Sequence, residues 1–190
     1  MTDSTKRTVL IVDDERELAE LYADYLAGDY ATKMAHTSGE ALVKLTEEVD
    51  LVLLDRRLPG MSGDELLTHI NEWETDCQVI MVTAVDIDTD IIEMPCEGYL
   101  QKPVSRDEMQ RAVEQAFLMA TYEELVFEYY EARKKHAALT TGFSHDEIGG
   151  EQFESLEARI AELETEITDT IDQFPDSEMG EAFRGLHRTE

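Results

Sequence analysis

Three short apolar runs constrain the fold of this chain more than any other feature. They are Val9–Val12, Leu51–Leu54 and Val79–Val82, and every position in them is apolar. Strands of a parallel sheet have this pattern, because helices cover both faces of the sheet and bury both sets of side chains. The runs therefore predict the central strands of an α/β domain.

Between residues 8 and 119, apolar runs alternate with amphipathic segments. This alternation repeats five times and is typical of parallel strands joined by crossover helices. We predict strands at residues 9–13, 30–35, 51–55, 79–83 and 98–101. We predict helices at residues 15–27, 38–48, 63–73, about 88–94 and 105–120.

After residue 120 the apolar residues recur at alternating spacings of three and four, which indicates helices. One series runs through residues 118–139 and a second through 153–174, with three glycines between them. We predict domains at 1–120 and 121–190, with C-terminal helices at about 118–139 and 151–174 and a tail at 175–190. The overlap at 118–120 predicts a continuous or nearly continuous helix across the boundary.

The two C-terminal helices have two possible partners for their apolar stripes. They can pack on each other as an antiparallel hairpin, or form a coiled coil with a second copy of the chain. Because a region of this size is small for an independent core, we expect a homodimer through these helices, with the self-contained hairpin as the alternative.

The charge of the chain excludes several classes of partner. It has 44 Asp and Glu against 16 Lys and Arg, a formal net charge of −28. Such a surface resembles that of proteins from salt-accumulating halophiles, and it repels nucleic acid and anionic lipid in ordinary buffer. The longest strongly apolar runs have four residues, whereas a membrane span needs about 20. We therefore expect a cytoplasmic protein that does not bind membranes.

Polar residues with metal and phosphate chemistry lie at the carboxyl ends of the predicted strands. The first strand ends in Asp13 and Asp14, two others end in Asp55 and Thr83, and the last runs into Lys102. The carboxyl ends of parallel strands meet at one edge of the sheet. Three carboxylates at one place repel one another unless a cation joins them. Mg²⁺ suits such a site, because it binds a few protein oxygens and also phosphoryl oxygens.

A carboxylate in such a site can act as a nucleophile toward phosphorus and form an acyl phosphate. Asp13 and Asp14 have an alternative role, because Asp often caps the helix that follows it. Capping does not explain why the acidic, hydroxyl and amine groups all lie at strand ends.

These residues lie in motifs that resemble a response-regulator receiver domain of two-component signalling. The matching segments are Val9–Glu15, Leu53–Gly63, Val82–Ala84 and Tyr99–Pro103. The resemblance covers residues 8–119, about three-fifths of the chain. It implies a flavodoxin-like fold with five parallel strands in the order 2-1-3-4-5 and five helices.

The resemblance also implies roles for the acidic residues. Asp55 corresponds to the phosphoacceptor of the family, and Asp13 and Asp14 to the acidic pair that binds Mg²⁺ together with Asp55. The backbone carbonyl of Arg57 corresponds to a further protein ligand of the metal.

Further implied roles belong to the residues that sense the phosphoryl group. Lys102 corresponds to the amine that binds it, Thr83 to the switch hydroxyl and Tyr99 to the switch aromatic. The peptide bond between Lys102 and Pro103 is cis in the family. Phosphorylation of Asp55 is then expected to bias a pre-existing equilibrium of the receiver.

Residues 121–190 resemble the HalX helical domain attached to receivers in haloarchaea. We therefore expect a response regulator that takes its phosphoryl group from a sensor histidine kinase and acts through a downstream protein. Its own phosphorylation and dephosphorylation would be its only catalysis. Two alternatives remain open: a transcription regulator that contacts DNA through the helical tail, and a magnesium-dependent phosphohydrolase that uses Asp55.

The resemblance generates one prediction about the lifetime of the acyl phosphate. Arg57 and Val85 lie two residues after Asp55 and Thr83, where the family tunes hydrolysis. A valine side chain cannot hold an attacking water, so we predict slow self-dephosphorylation. The phosphoprotein is followed after removal of the phosphoryl donor, and a half-life of seconds would contradict the prediction.

Overall fold

The computed structural model describes residues 6–73, 77–84, 95–142 and 150–175. Its five strands form one sheet, in which all neighbouring strands are parallel and the order is β2-β1-β3-β4-β5. The strands are β1 (Thr8–Val12), β2 (Ala31–Ala35), β3 (Leu51–Asp55), β4 (Gln78–Thr83) and β5 (Gly98–Gln101). The predicted parallel sheet and its strand order are confirmed.

Three helices connect the first four strands: α1 (Arg16–Leu26), α2 (Ser38–Lys44) and α3 (Gly63–Glu72). The predicted C-terminal end of α2, at residue 48, was wrong, because the helix ends at Lys44. Leu45 is extended, and both Leu45 and Val49 are buried in the core. The chain leaves the helix early because these two side chains pack inward. The helix predicted at about 88–94 lies outside the described residues.

The remaining helices are α4 (Arg106–Gly142) and α5 (Glu151–Gln173). The helices predicted at 105–120 and 118–139 are one helix, as their overlap indicated. The chain divides into two compact units between Ala116 and Phe117, so the division falls within α4. The predicted tail lies outside the described residues from residue 176 onward.

The core of the first unit lies around the three central strands. Most side chains of β1, β3 and β4 are almost completely buried. On one face of the sheet they pack with Leu66, Leu67 and Ile70 of α3. Because burial of one large aliphatic side chain contributes about 1.5–3 kcal/mol, this packing fixes the positions of the strand ends.

In the second unit, the two predicted apolar stripes pack on each other within the chain. Ala132 of α4 packs with Ile160 and Leu163 of α5. Tyr122 contacts Phe174 edge to face, while His136, farther along α4, stacks on Phe153 near the start of α5. The helices are therefore antiparallel, as in the hairpin that was the alternative to a homodimer, and these side chains of the two stripes pack within one chain.

None of the described helices has a stretch long and apolar enough to cross a membrane.

One glycine holds α3 close to the end of β3. A Cβ on Gly63 would lie 2.3 Å from the Asp55 carbonyl oxygen and 2.7 Å from Arg56 Cα. The backbone N–H of Gly63 also donates to the Arg56 carbonyl oxygen at 2.9 Å. Any other residue at position 63 must displace the backbone that carries Asp55.

Gly63→Ala is therefore expected to lower the free energy of unfolding by about 1–3 kcal/mol, the range for overpacking in a filled interior. Gly39→Ala is the matched control, because a Cβ there has its nearest neighbour at 4.0 Å. We expect this exposed helical substitution to be neutral or stabilising by up to about 1 kcal/mol. Urea unfolding in molar potassium chloride measures both, and equal stabilities would contradict the prediction.

Candidate functional site

The carboxyl ends of β1, β3 and β4 bring four predicted site residues to one edge of the sheet. Asp13 follows β1, Asp55 ends β3 and Thr83 ends β4, and all three are buried. In the register of the sheet, Asp55 lies opposite Val82, the residue before Thr83. Asp14 is adjacent and exposed. The fold therefore places these residues at the same edge of the sheet, as the sequence pattern predicts.

Lys102 joins the two buried carboxylates. Its Nζ lies 2.8 Å from Asp13 Oδ2 and 2.5 Å from Asp55 Oδ2. Its backbone N–H donates to the Thr83 carbonyl oxygen at 2.8 Å, which continues the pairing of β5 with β4. The bond from Lys102 to Pro103 is cis. The Lys102 ammonium therefore offsets the negative charge of two carboxylates that lie at the ends of different strands.

Backbone N–H groups hold the other oxygen of each buried carboxylate. The N–H of Glu15 donates to Asp13 Oδ1 and that of Arg57 to Asp55 Oδ1, both at 2.9 Å. Glu15 is the N-cap of α1, and its side chain makes no capping hydrogen bond. Asp13 therefore binds a backbone N–H at the start of α1, as the capping alternative expects, but capping does not explain its second contact, with Lys102.

Burial is the largest single influence on the pKa values of Asp13 and Lys102. Burial raises the pKa of Asp13, against the lowering effect of its hydrogen bonds with Lys102 and Glu15. Burial alone would lower the pKa of Lys102, but hydrogen bonds and charge interactions with Asp13 and Asp55 outweigh it, and the pKa is raised. The ammonium form of Lys102 is thus the form that the site stabilises.

The three carboxylates lie close enough together to bind one divalent cation. One oxygen from each of Asp13, Asp14 and Asp55 lies within 4.8 Å of the others. Carboxylate oxygens are hard ligands of the kind that Mg²⁺ prefers. Asp14 is exposed and the other two are buried, so the cluster has one side toward solvent. The donor set therefore fits Mg²⁺.

The loop after β3 is fixed by its own contacts. Arg56 Nε lies 3.1 Å from both carboxylate oxygens of Asp64. Ser62 and Glu65 form a reciprocal capping box at the start of α3, which satisfies two N–H groups of the helix start. These contacts hold the segment around Arg57 beside the site.

Tyr99 lies on β5, half-buried, and packs against the core cluster of the first unit. A groove of about 540 Å³ lies beside it, lined in part by Lys102, Val104 and Glu108. Burial raises the pKa of the Tyr99 hydroxyl. Tyr99 therefore lies on the strand that leads into Lys102 and borders open space.

Sequence reasoning assigned no role to His36. His36 Nδ1 lies 3.0 Å from the Asp13 carbonyl oxygen, and the backbone N–H of His36 donates to Glu40 Oε2 at 3.0 Å. His36 thus supports the backbone of Asp13 from the adjacent strand end. A lone histidine after a strand carries no signal of this role. Val85, the other residue expected to tune hydrolysis, lies outside the described residues.

Two family models match separate parts of the chain. A model described as the response regulator receiver domain matches residues 9–114. A model described as the HalX domain matches residues 118–183.

Individual relatives extend this similarity. A predicted transcriptional regulator of Haloferax volcanii is 38% identical over 164 residues, which are 86% of this chain and 28% of that protein. A cyclic di-GMP phosphodiesterase of Thermotoga maritima is 30% identical over 175 residues, 90% of this chain and 46% of that protein. The chain thus spans less than half the length of both curated relatives.

Among solved structures, the response regulator TrrA of Thermotoga maritima, in complex with Mg²⁺ and BeF, is similar to the first unit. It is 30% identical, with a TM-score of 0.53, and the match covers 58% of this chain and 98% of that one.

The ion pairs of Lys102 generate a prediction about stability. Lys102→Met would leave the buried carboxylates of Asp13 and Asp55 without a cation. We expect the free energy of unfolding in metal-free buffer to fall by about 3–5 kcal/mol, the cost of breaking a buried ion pair on one side. Urea unfolding measures the change.

Lys33→Met is the matched control, because Lys33 pairs with Glu48 at 3.2 Å on the surface. Loss of an exposed pair is expected to cost less than about 1 kcal/mol. Equal losses for the two variants would show that the Lys102 contacts do not stabilise the fold.

Proposed function

Because the chain belongs to the response regulators of two-component signalling, we propose that it accepts a phosphoryl group on Asp55. The observation that carries this proposal is the environment of Asp55, a buried carboxylate at a strand end beside two further carboxylates and the Lys102 ammonium. A phosphohistidine of a sensor histidine kinase is the proposed donor.

In the proposed reaction, a carboxylate oxygen of Asp55 forms a bond to phosphorus and the phosphorus–nitrogen bond of the donor breaks. The electron pair of that bond leaves with the imidazole nitrogen. Asp13, Asp14, Asp55 and the Arg57 carbonyl would hold Mg²⁺, which when bound supplies positive charge near the phosphoryl oxygens. The Nζ of Lys102 lies 2.5 Å from Asp55 Oδ2. After phosphorylation it would bind a phosphoryl oxygen instead of this carboxylate oxygen.

The proposed switch uses Thr83 and Tyr99. A phosphoryl group adds about two negative charges and three acceptor oxygens, and the Thr83 hydroxyl at the end of β4 would donate to one of them. Its movement would leave room for Tyr99, which has the groove on one side and the core on the other. The phosphoryl group would thereby favour one of two arrangements of this face.

For the output we propose contact with a downstream protein through the HalX region. Residues 121–190 carry 18 acidic and 6 basic side chains, a net charge of −12. DNA binding depends on neutralising phosphates with Lys and Arg, so this composition favours a protein partner over direct contact with DNA.

Phosphorylation is tested with a small-molecule phosphoryl donor in molar potassium chloride with magnesium chloride. Intact-mass spectrometry is expected to show the addition of one phosphoryl group, labile to hydroxylamine as acyl phosphates are. Asp55→Asn is expected to abolish the addition, because it removes the nucleophile, and a chelator is expected to suppress it in the unmodified chain.

Asp29→Asn is the matched control, since Asp29 is an exposed carboxylate after α1. It should leave the phosphoryl addition unchanged. Full addition to Asp55→Asn would place the phosphoacceptor elsewhere and contradict the proposal.

A further inference from the structure

Two large aromatic side chains lie exposed on α4 in the C-terminal unit. Phe127 is 67% exposed and Tyr130 is 63% exposed. They are three residues apart and therefore on the same side of the helix. This side differs from the one on which Tyr129 and Ala132 pack against α5. Large apolar side chains grouped at the surface are typical of interaction sites.

The residues around this aromatic pair have the same spacing in both directions. Toward the N-terminus, Glu123 lies four residues before Phe127, and Ala120 lies three residues before Glu123. Toward the C-terminus, a lysine lies four residues after Tyr130, and an alanine lies three residues after that lysine. We name the set the α4 stripe; it comprises Ala120, Glu123, Phe127, Tyr130, Lys134 and Ala137. Spacings of three and four keep all six on one helix face. The charge is negative at one end and positive at the other.

We propose that the α4 stripe is a dimer interface between two copies of this chain, with the two α4 helices antiparallel. A two-fold axis passing between residues 128 and 129 places each member of the stripe opposite its counterpart, as an isologous interface requires. Phe127 then faces the partner's Tyr130, and Glu123 faces the partner's Lys134. Ala120 faces the partner's Ala137, which allows close approach of the helices.

Charge selects this pairing over a parallel one. In a parallel pair in register, Glu123 would face the partner's Glu123 and Lys134 the partner's Lys134, and like charges in contact are unfavourable. Lys134 is available for the antiparallel contact, because its ion pair with Glu131 at 3.2 Å is on the surface and 65% of its side chain is exposed. Surface pairs of that kind hold a side chain only weakly.

The net charge determines the conditions under which this dimer forms. Two units that each carry a net charge of −12 repel one another, and molar salt shortens the Debye length to about 3 Å. A contact between one pair of helices is small beside the roughly 1,200–2,000 Å² of stable interfaces. The dimer is therefore weak, concentration-dependent and favoured by molar potassium chloride.

Sedimentation velocity of the full chain in molar potassium chloride, over a series of protein concentrations, tests the interface. The unmodified chain is expected to pass from monomer to dimer. Glu123→Lys and Lys134→Glu are each expected to weaken the dimer about tenfold or more, because the two-fold axis creates two like-charge contacts in each variant. The double variant, which exchanges the two charges, is expected to restore the dimer.

Glu124→Lys and Lys135→Glu are the matched controls. They make the same charge changes one residue along α4, away from the stripe, and should leave the dimer unchanged. Circular dichroism confirms that each variant keeps its helices. A chain that stays monomeric at every concentration would overturn the proposal. So would a dimer that tolerates both single reversals, or a double variant that fails to recover.

Discussion

The ammonium group of Lys102 lies between two carboxylates that the fold buries. Asp13 and Asp55 are each almost inaccessible to solvent, and two such charges side by side oppose folding unless a cation is near. Lys102 is 89 residues from Asp13 and 47 from Asp55 in the sequence. It reaches both only when β5 pairs with β4 and β3 lies between β4 and β1. The contacts of Lys102 at the polar edge of the sheet therefore depend on the strand order.

The sequence alone could predict most of this sheet, because runs such as Leu51–Leu54 are apolar at every position and are bounded by residues with recognisable chemistry. It could also predict that Asp13, Asp55 and Lys102 lie close together, because each lies at the end of a strand or directly after one, and parallel strands end at one edge. Local pattern could not predict the early end of α2, where packing of Leu45 overrides helical periodicity. Nor could it find His36, whose contact is with backbone atoms of Asp13.

The C-terminal unit shows a different limit of pattern reasoning. A heptad series specifies which side of a helix is apolar, but the same side can meet a helix of its own chain or of another. Here it meets α5, with Tyr129 donating to Glu164 and Arg159 bridging Glu128 at the edge of the contact. Phe127 and Tyr130 are not part of the heptad series, so the sequence pattern assigned them no role. Their significance depends on which face α5 covers.

The close approach of Gly63 to the end of β3 has a consequence for variation in chain length. One hydrogen bond between the Arg56 carbonyl and the Gly63 N–H closes the intervening segment into a small ring, and the capping box of α3 fixes its far side. Side chains on the exposed part of the ring can change, because they point into solvent, except at Gly60, where a φ of +92° favours glycine. The number of residues cannot, since one more or one fewer would rotate the start of α3 relative to Asp55. Insertions and deletions should therefore be far rarer here than substitutions.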